Sequence, residues 1–171
     1  MENKTDVKLQ MTELWYTQVA LTREVIFASA FNSANKKSSV SALYNNQKVL
    51  GSDFAQYTDK RTGIKYESLL TDHITIIIKI IVASFNHKSA ARFIADLNFN
   101  ASLIAEFLHT TIHSINEKKI KDLFYGYIDC TLNEINRIVG KNYSDSVTEY
   151  NNCLTQGANI SEYMAKKIGN H

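Results

Sequence analysis

Apolar residues return along this chain at steps of three and four, the spacing that lines one face of an α-helix. The strongest case is Tyr66 to Ala83, the most apolar run, where Tyr66, Leu70, His73, Ile77, Ile80 and Ser84 share a face. A histidine therefore sits inside an apolar stripe. The run Ile74 to Val82 is β-branched and would suit a buried strand on local propensity alone. The stripe continues upstream to Tyr66 and no partner strand is evident, so the pattern predicts a helix.

Five further helices follow from the same spacing. The first covers about Leu9 to Phe31, with Leu14, Gln18, Leu21, Val25 and Ala28 on one line and Trp15, Val19, Thr22 and Ile26 beside it. So wide an apolar arc predicts contact on more than one side. The second covers Val40 to Tyr57, after an N-cap at Ser39. Val40, Leu43, Gln47, Leu50, Phe54 and Tyr57 form its seam, interrupted by the Gln47 amide. Thr58 to Gly63 reads as a turn, with Gly63 free to take a left-handed conformation. The fourth helix covers Ser89 to His113, with Ala90, Ile94, Leu97, Ala101, Ile104 and Leu108 inward. Ser114-Ile-Asn-Glu117 and Ser146-Val-Thr-Glu149 match the capping-box pattern and open the fifth and sixth helices. The fifth carries Ile120, Phe124, Tyr127, Thr131, Ile135 and Ile138 and stops at Gly140. The sixth carries Tyr150, Cys153, Ile160, Met164 and Ile168.

The 171 residues contain no proline and only six glycines, which argues against a turn-rich β fold. The expectation is an all-α, single-domain up-and-down helical bundle of about six helices spanning 1–171, with residues 1–8 disordered. A net charge of +2 with dispersed Lys and Arg offers no stripe for nucleic acid, so no nucleic-acid partner is expected. The pairs Lys36-Lys37, Lys118-Lys119 and Lys166-Lys167 fall at helix ends, where they complement helix dipoles or solvate the surface. The polar Met1 to Lys8 segment has no signal-peptide pattern. The apolar run Ile74 to Ala83, broken by Thr75 and Lys79, is too short to span a bilayer, so no membrane partner is expected. Cys130 and Cys153 match no metal or redox spacing and read as reduced residues of a cytoplasmic protein.

Chemistry-bearing motifs are few. Glu106-Phe-Leu-His109 has the spacing of a di-iron helix, and His109 to His113 that of a zinc pair. No second Glu-x-x-His is present, and the three side chains fall opposite the apolar stripe, so a solvated face is the simpler account. Phosphate-binding glycine loops and the Gly-x-Ser-x-Gly elbow are absent. What remains is a set of polar residues on inward stripes: Gln18, Gln47, His73, Tyr127 and Gln156. Each needs a hydrogen-bond partner if buried, or together they line a pocket.

Several spacings also carry a resemblance. They are Leu14-Trp15 followed by Thr22-Arg23, Asn46-Gln47 with Gly51, and Leu69-Leu70-x-x-His73-Ile74. Further along come Asn100-Ala101-x-x-Ile104-Ala105-x-Phe107-Leu108, then Asp129-x-Thr131-x-x-Glu134, and finally Tyr150. In order and spacing, over about Leu14 to Ile168, they resemble a family of bacterial helical-bundle proteins of unassigned activity. Some of its members carry glycosyltransferase or acetylglutamate kinase labels. The resemblance implies an inward histidine at each position matching Gln18, His73, Tyr127 and Gln156, one per helix, as a metal or ligand site. This chain keeps only His73, and Gln and Tyr are poor zinc ligands.

The functional expectation is a soluble, non-catalytic bundle without cofactor, whose polar interior site binds a small molecule or protein partner through Gln18, Gln47, His73, Tyr127 and Gln156. The alternatives are a metal-dependent enzyme centred on His73 and a purely structural or interaction protein whose buried polar groups enforce register.

Overall fold

The computed structural model describes residues 4–168, with the side chains of 4–6 and the residues 1–3 and 169–171 left aside. Its architecture is six α-helices: α1 Lys4–Ala30, α2 Lys36–Tyr57, α3 Lys60–Phe85, α4 Ala91–Thr111, α5 Glu117–Val139 and α6 Tyr143–Ile168. Among the described residues there is no strand, and the β-branched run lies wholly within α3. Helix α1 begins at Lys4, inside the segment 1–8, of which residues 1–3 lie outside the described part.

Short connections (31–35, 58–59, 86–90, 112–116 and 140–142) make successive helices antiparallel neighbours. Each helix packs on the next and α6 returns to α1, which closes a ring. Across the middle, α1, α3 and α5 also touch one another, so the odd-numbered helices stand nearest the axis. That position explains the composition of α3. A helix contacted on several sides needs an apolar arc wider than one stripe. Ile74, Ile77, Ile80 and Ile81 are buried, with Ile76 and Ile78 packed partly against the core. By length and composition α3 is apolar enough to cross a membrane, with a mean hydropathy of 1.7 over its best window. The shorter run considered above understated this. Within the bundle 44% of that window is buried, Ile74, Ile77, Ile80 and Ile81 among it.

Several local expectations are corrected. Gly63 is not in a turn: it lies inside α3 against α2, and no glycine among the described residues has positive φ. A Cβ at Gly63 would come within 2.5 Å of Ala55 Cβ and of the Gly51 carbonyl oxygen, so its role is close approach of two helices. Ser39, Ser114 and Ser146 are not caps. Ser39 lies within α2 and donates to Glu24 at 2.7 Å. Ser114 donates to the Lys167 carbonyl at 3.3 Å, and Asn116 caps α5 by accepting from Lys119 N–H at 2.8 Å. Ser146 bonds the Tyr143 carbonyl within α6. Asp59 caps α3, accepting from Thr62 N–H and Oγ–H, and these bonds hold its carboxyl below the ordinary value.

The cysteines were read as separate reduced residues. The structure instead pairs Cys130 of α5 with Cys153 of α6 in a disulfide, their Cα atoms 5.5 Å apart. Each lies on its helix's buried face, and adjacent faces of an antiparallel pair bring them together. A paired Cys130 and Cys153 give no indication of a reducing compartment.

Candidate functional site

Four of the five inward polar residues are buried: Gln18, Gln47, His73 and Tyr127 are each no more than 3% exposed. They belong to one chain of contacts that crosses five helices. On α1, Gln18 Oε1 accepts from Gln47 Nε2 at 2.6 Å and from Asn46 Nδ2 at 2.9 Å, both on α2. Gln47 Nε2 uses its second hydrogen on the Leu43 carbonyl at 2.8 Å. The Tyr127 hydroxyl on α5 reaches α1 at Thr22. Its oxygen lies 3.5 Å from Thr22 Oγ, whose own hydrogen goes to the Gln18 carbonyl. Burial pushes the Tyr127 phenol up, with the Thr22 bond opposing.

The His73 ring lies roughly parallel to Tyr127 at 6.4 Å between centroids, with Phe124 edge-on at 5.9 Å. Its hydrogen-bond partner is Asn100 of α4, across a 2.7 Å Nδ1···Oδ1 contact. The expected partners were Gln18, Gln47, Tyr127 or Gln156; the hydrogen bond goes instead to Asn100, and Tyr127 meets the ring by stacking. Asn100 Nδ2 donates to the Leu69 carbonyl at 3.1 Å, which turns Oδ1 toward the histidine. An amide oxygen can only accept, so His73 Nδ1 carries the proton and Nε2 keeps a lone pair. Burial lowers the His73 pKa from 6.5 to about 4, against a smaller upward pull from Asn100, and the ring is neutral at pH 7.

Two acceptors in this chain are left over. Gln47 Oε1 and His73 Nε2 are both fully buried and meet no donor in the structure. Buried polar groups are normally satisfied, and each exception costs about 1–3 kcal/mol.

Gln156 does not join them. It is half-exposed on α6 beside Gly126, in an outer groove between α5 and α6 that Asp129, Asn133 and Asn152 also line. Its apolar neighbours Cys153 and Ile160 turn inward and leave it at the margin of the stripe. Conversely, the pattern passed over Asn46, Asn100 and Thr22 as site members. Asn100 had the signal, since Leu97, Asn100 and Ile104 keep helical spacing.

A second polar cluster joins α1, α5 and α6. Arg23 pairs with the buried Glu134, donates to the Ser146 carbonyl at 3.2 Å, and lies 4.7 Å from the ring centroids of both Phe27 and Tyr150. Burial pushes the Glu134 carboxyl up to about 7 despite the guanidinium beside it. Metal chemistry finds no support: among the described residues no three His, Cys, Asp or Glu side chains are grouped to hold an ion. His109 Nδ1 is engaged with the Ile115 carbonyl at 2.7 Å. No protein-family model matches the chain, and no curated protein or solved structure shows significant similarity to it.

Proposed function

We propose that this bundle is a non-catalytic binding protein whose interior holds a small, neutral molecule bearing hydrogen-bond donors. One observation carries the reading: Gln47 Oε1 and His73 Nε2 are buried acceptors without a donor, at either side of a continuous polar chain. A guest that donates to either would recover the cost of leaving it bare. Neutrality follows from the surroundings. His73 is uncharged, Gln18, Gln47 and Asn100 are amides, and a charge there would be desolvated without a counter-ion. The competing reading, polar residues that only enforce helix register, needs no guest beyond water.

Native mass spectrometry of the protein as purified separates the two. The binding reading expects a population heavier than the polypeptide, absent from Gln47→Leu/His73→Phe when that variant keeps its helical circular dichroism. Wild-type protein at the bare polypeptide mass in every preparation would leave the register reading in place.

A further inference from the structure

The antiparallel ring gathers three turns at one end: 31–35, 86–90 and 140–142, where α1, α3 and α5 finish and α2, α4 and α6 begin. Dispersed in sequence, the charges here are concentrated in space. Residues 31–37, 85–92 and 137–146 hold Lys36, Lys37, Lys88, Arg92, Arg137 and Lys141. Arg137 is paired with Asp145 at 3.6 Å and Glu149 at 3.9 Å, and Glu24 stands beside Phe31 and Asn35, which leaves Lys36, Lys37, Lys88, Arg92 and Lys141 as the cations with no ion pair among the described residues. Local helix preference does not account for the cations at either end, since Lys60 and Arg61 of α3 and Lys118 and Lys119 of α5 also stand in first turns. Lys36 and Lys37 occupy the first turn of α2, and Arg92 that of α4, where the helix dipole disfavours cations. Lysine pairs at helix ends were expected to complement dipoles or to solvate the surface; Lys36-Lys37 here, like Lys118-Lys119 at the far end, oppose a dipole and so solvate the surface. Moreover, Asn35 and Ala90 make no side-chain capping bond, whereas Asp59 and Asn116 cap helices at the far end.

The backbone repeats the theme. All three turns pass through a non-glycine residue with positive φ: Asn32 at 47°, His87 at 54° and Lys141 at 59°. Glycine is the unstrained choice at such positions, so a lysine at one of them is held there against a backbone cost. Beside these cations stands an apolar knob. Phe27, Phe31 and Tyr143 pack ring to ring at 5.9–6.4 Å, with Phe31 60% and Tyr143 41% exposed.

We infer that this end of the bundle docks on an anionic lipid surface, with Phe31 and Tyr143 entering the headgroup region and Lys36, Lys37, Lys88, Arg92 and Lys141 facing acidic headgroups. Charge complementarity selects an anionic partner. The rings select lipid over single-stranded nucleic acid: they pack on one another and so offer a compact knob, not the open faces on which bases stack. Peripheral docking of this kind is distinct from a spanning segment, the form of membrane contact weighed above from the sequence.

Sedimentation of the full chain with vesicles tests it. The probes are phosphatidylcholine alone, and two parts phosphatidylcholine to one part phosphatidylserine, at about 0.1 M salt. Wild-type protein should partition at least about tenfold more strongly onto the serine-containing vesicles. Lys36→Glu/Lys37→Glu should remove most of that gain, and its fold is safe because glutamate suits a first helical turn. Phe31→Ser should weaken partitioning about fivefold or more. Lys118→Glu/Lys119→Glu, the same charge change at the far end, should leave partitioning within about twofold of wild type. Equal losses from the two charge variants would overturn the inference, as would absence of wild-type binding. Binding to an oligothymidylate strand with the same end dependence, and not to vesicles, would overturn it in favour of nucleic acid.

Discussion

His73→Phe keeps an aromatic ring at the centre of the bundle and deletes both ring nitrogens. At pH 7 the change strands Asn100 Oδ1, which loses its only side-chain donor, and relieves the bare Nε2. Each of these is worth about 1–3 kcal/mol with opposite sign, so at pH 7 the two largely cancel and the net change should lie within about 1 kcal/mol of zero. Acid should then shift the balance toward the variant. The folded His73 has a pKa of about 4 against 6.5 for the unfolded chain, so the unfolded state binds the extra proton. Stability from the neutral buried ring is present above pH 6.5 and lost as pH falls toward 4. At about 1.4 kcal/mol per unit, this linkage should remove about 2 kcal/mol from the wild type between about pH 7 and pH 5, and nothing from the phenylalanine variant. The variant should therefore gain about 2 kcal/mol on the wild type over that range. Other titrating groups, including Glu134, are common to both proteins and cancel in the difference. Urea unfolding at a series of pH values, followed by helical circular dichroism and Trp15 fluorescence, measures it. A wild-type minus variant difference that stays constant from pH 7 to pH 5 would refute the buried, neutral histidine.

Gln18→Leu should cost about 2–4 kcal/mol because it strands donors of both Asn46 and Gln47, whereas Gln47→Leu should cost under about 1 kcal/mol because Asn46 still serves Gln18. Denaturant midpoints of the two variants check the order, and equal losses would contradict the network. Thiol titration of the unfolded protein without reductant should find no free cysteine, and reduction should lower stability by about 3 kcal/mol, given a separation of 23 residues; two reactive thiols would oppose the pairing. Gly63→Ala should destabilise by about 1–2 kcal/mol although alanine is the better helix former, because its Cβ would meet Ala55 and the Gly51 carbonyl at 2.5 Å. A raised melting temperature would show that α2 and α3 can separate at no cost.

Period and turn spacing made the six helices legible, since stripes at steps of three and four recur without proline or strand punctuation. The burial of Gln47 and His73 was legible for the same reason: each replaces an apolar residue at a seam position with apolar neighbours on both sides. Capping was not. Ser39, Ser114 and Ser146 match a motif that depends on where the backbone leaves the helix, and Asn116 is equally competent two residues after Ser114. Hydrogen-bond partners were not legible either. That His73 turns to Asn100 and not to Tyr127 depends on rotation of α4 against α3, which a single helix's pattern does not contain. Gln156 shows the same limit at a stripe's edge, where about a hundred degrees of arc decides between core and groove. The basic end of the bundle is invisible along the chain, because its cations come from three turns roughly fifty residues apart.

The central claim is that His73 is a neutral Nδ1–H tautomer with its Nε2 lone pair open inside the bundle. Long-range proton–nitrogen NMR of the imidazole, from about pH 7 down to pH 5, measures this directly. The account predicts a protonated Nδ1 and a bare Nε2 whose shifts stay fixed over that range, with the Nε2 signal moving when an interior guest is bound. An Nε2–H tautomer, or a ring that titrates near 6.5, would contradict it.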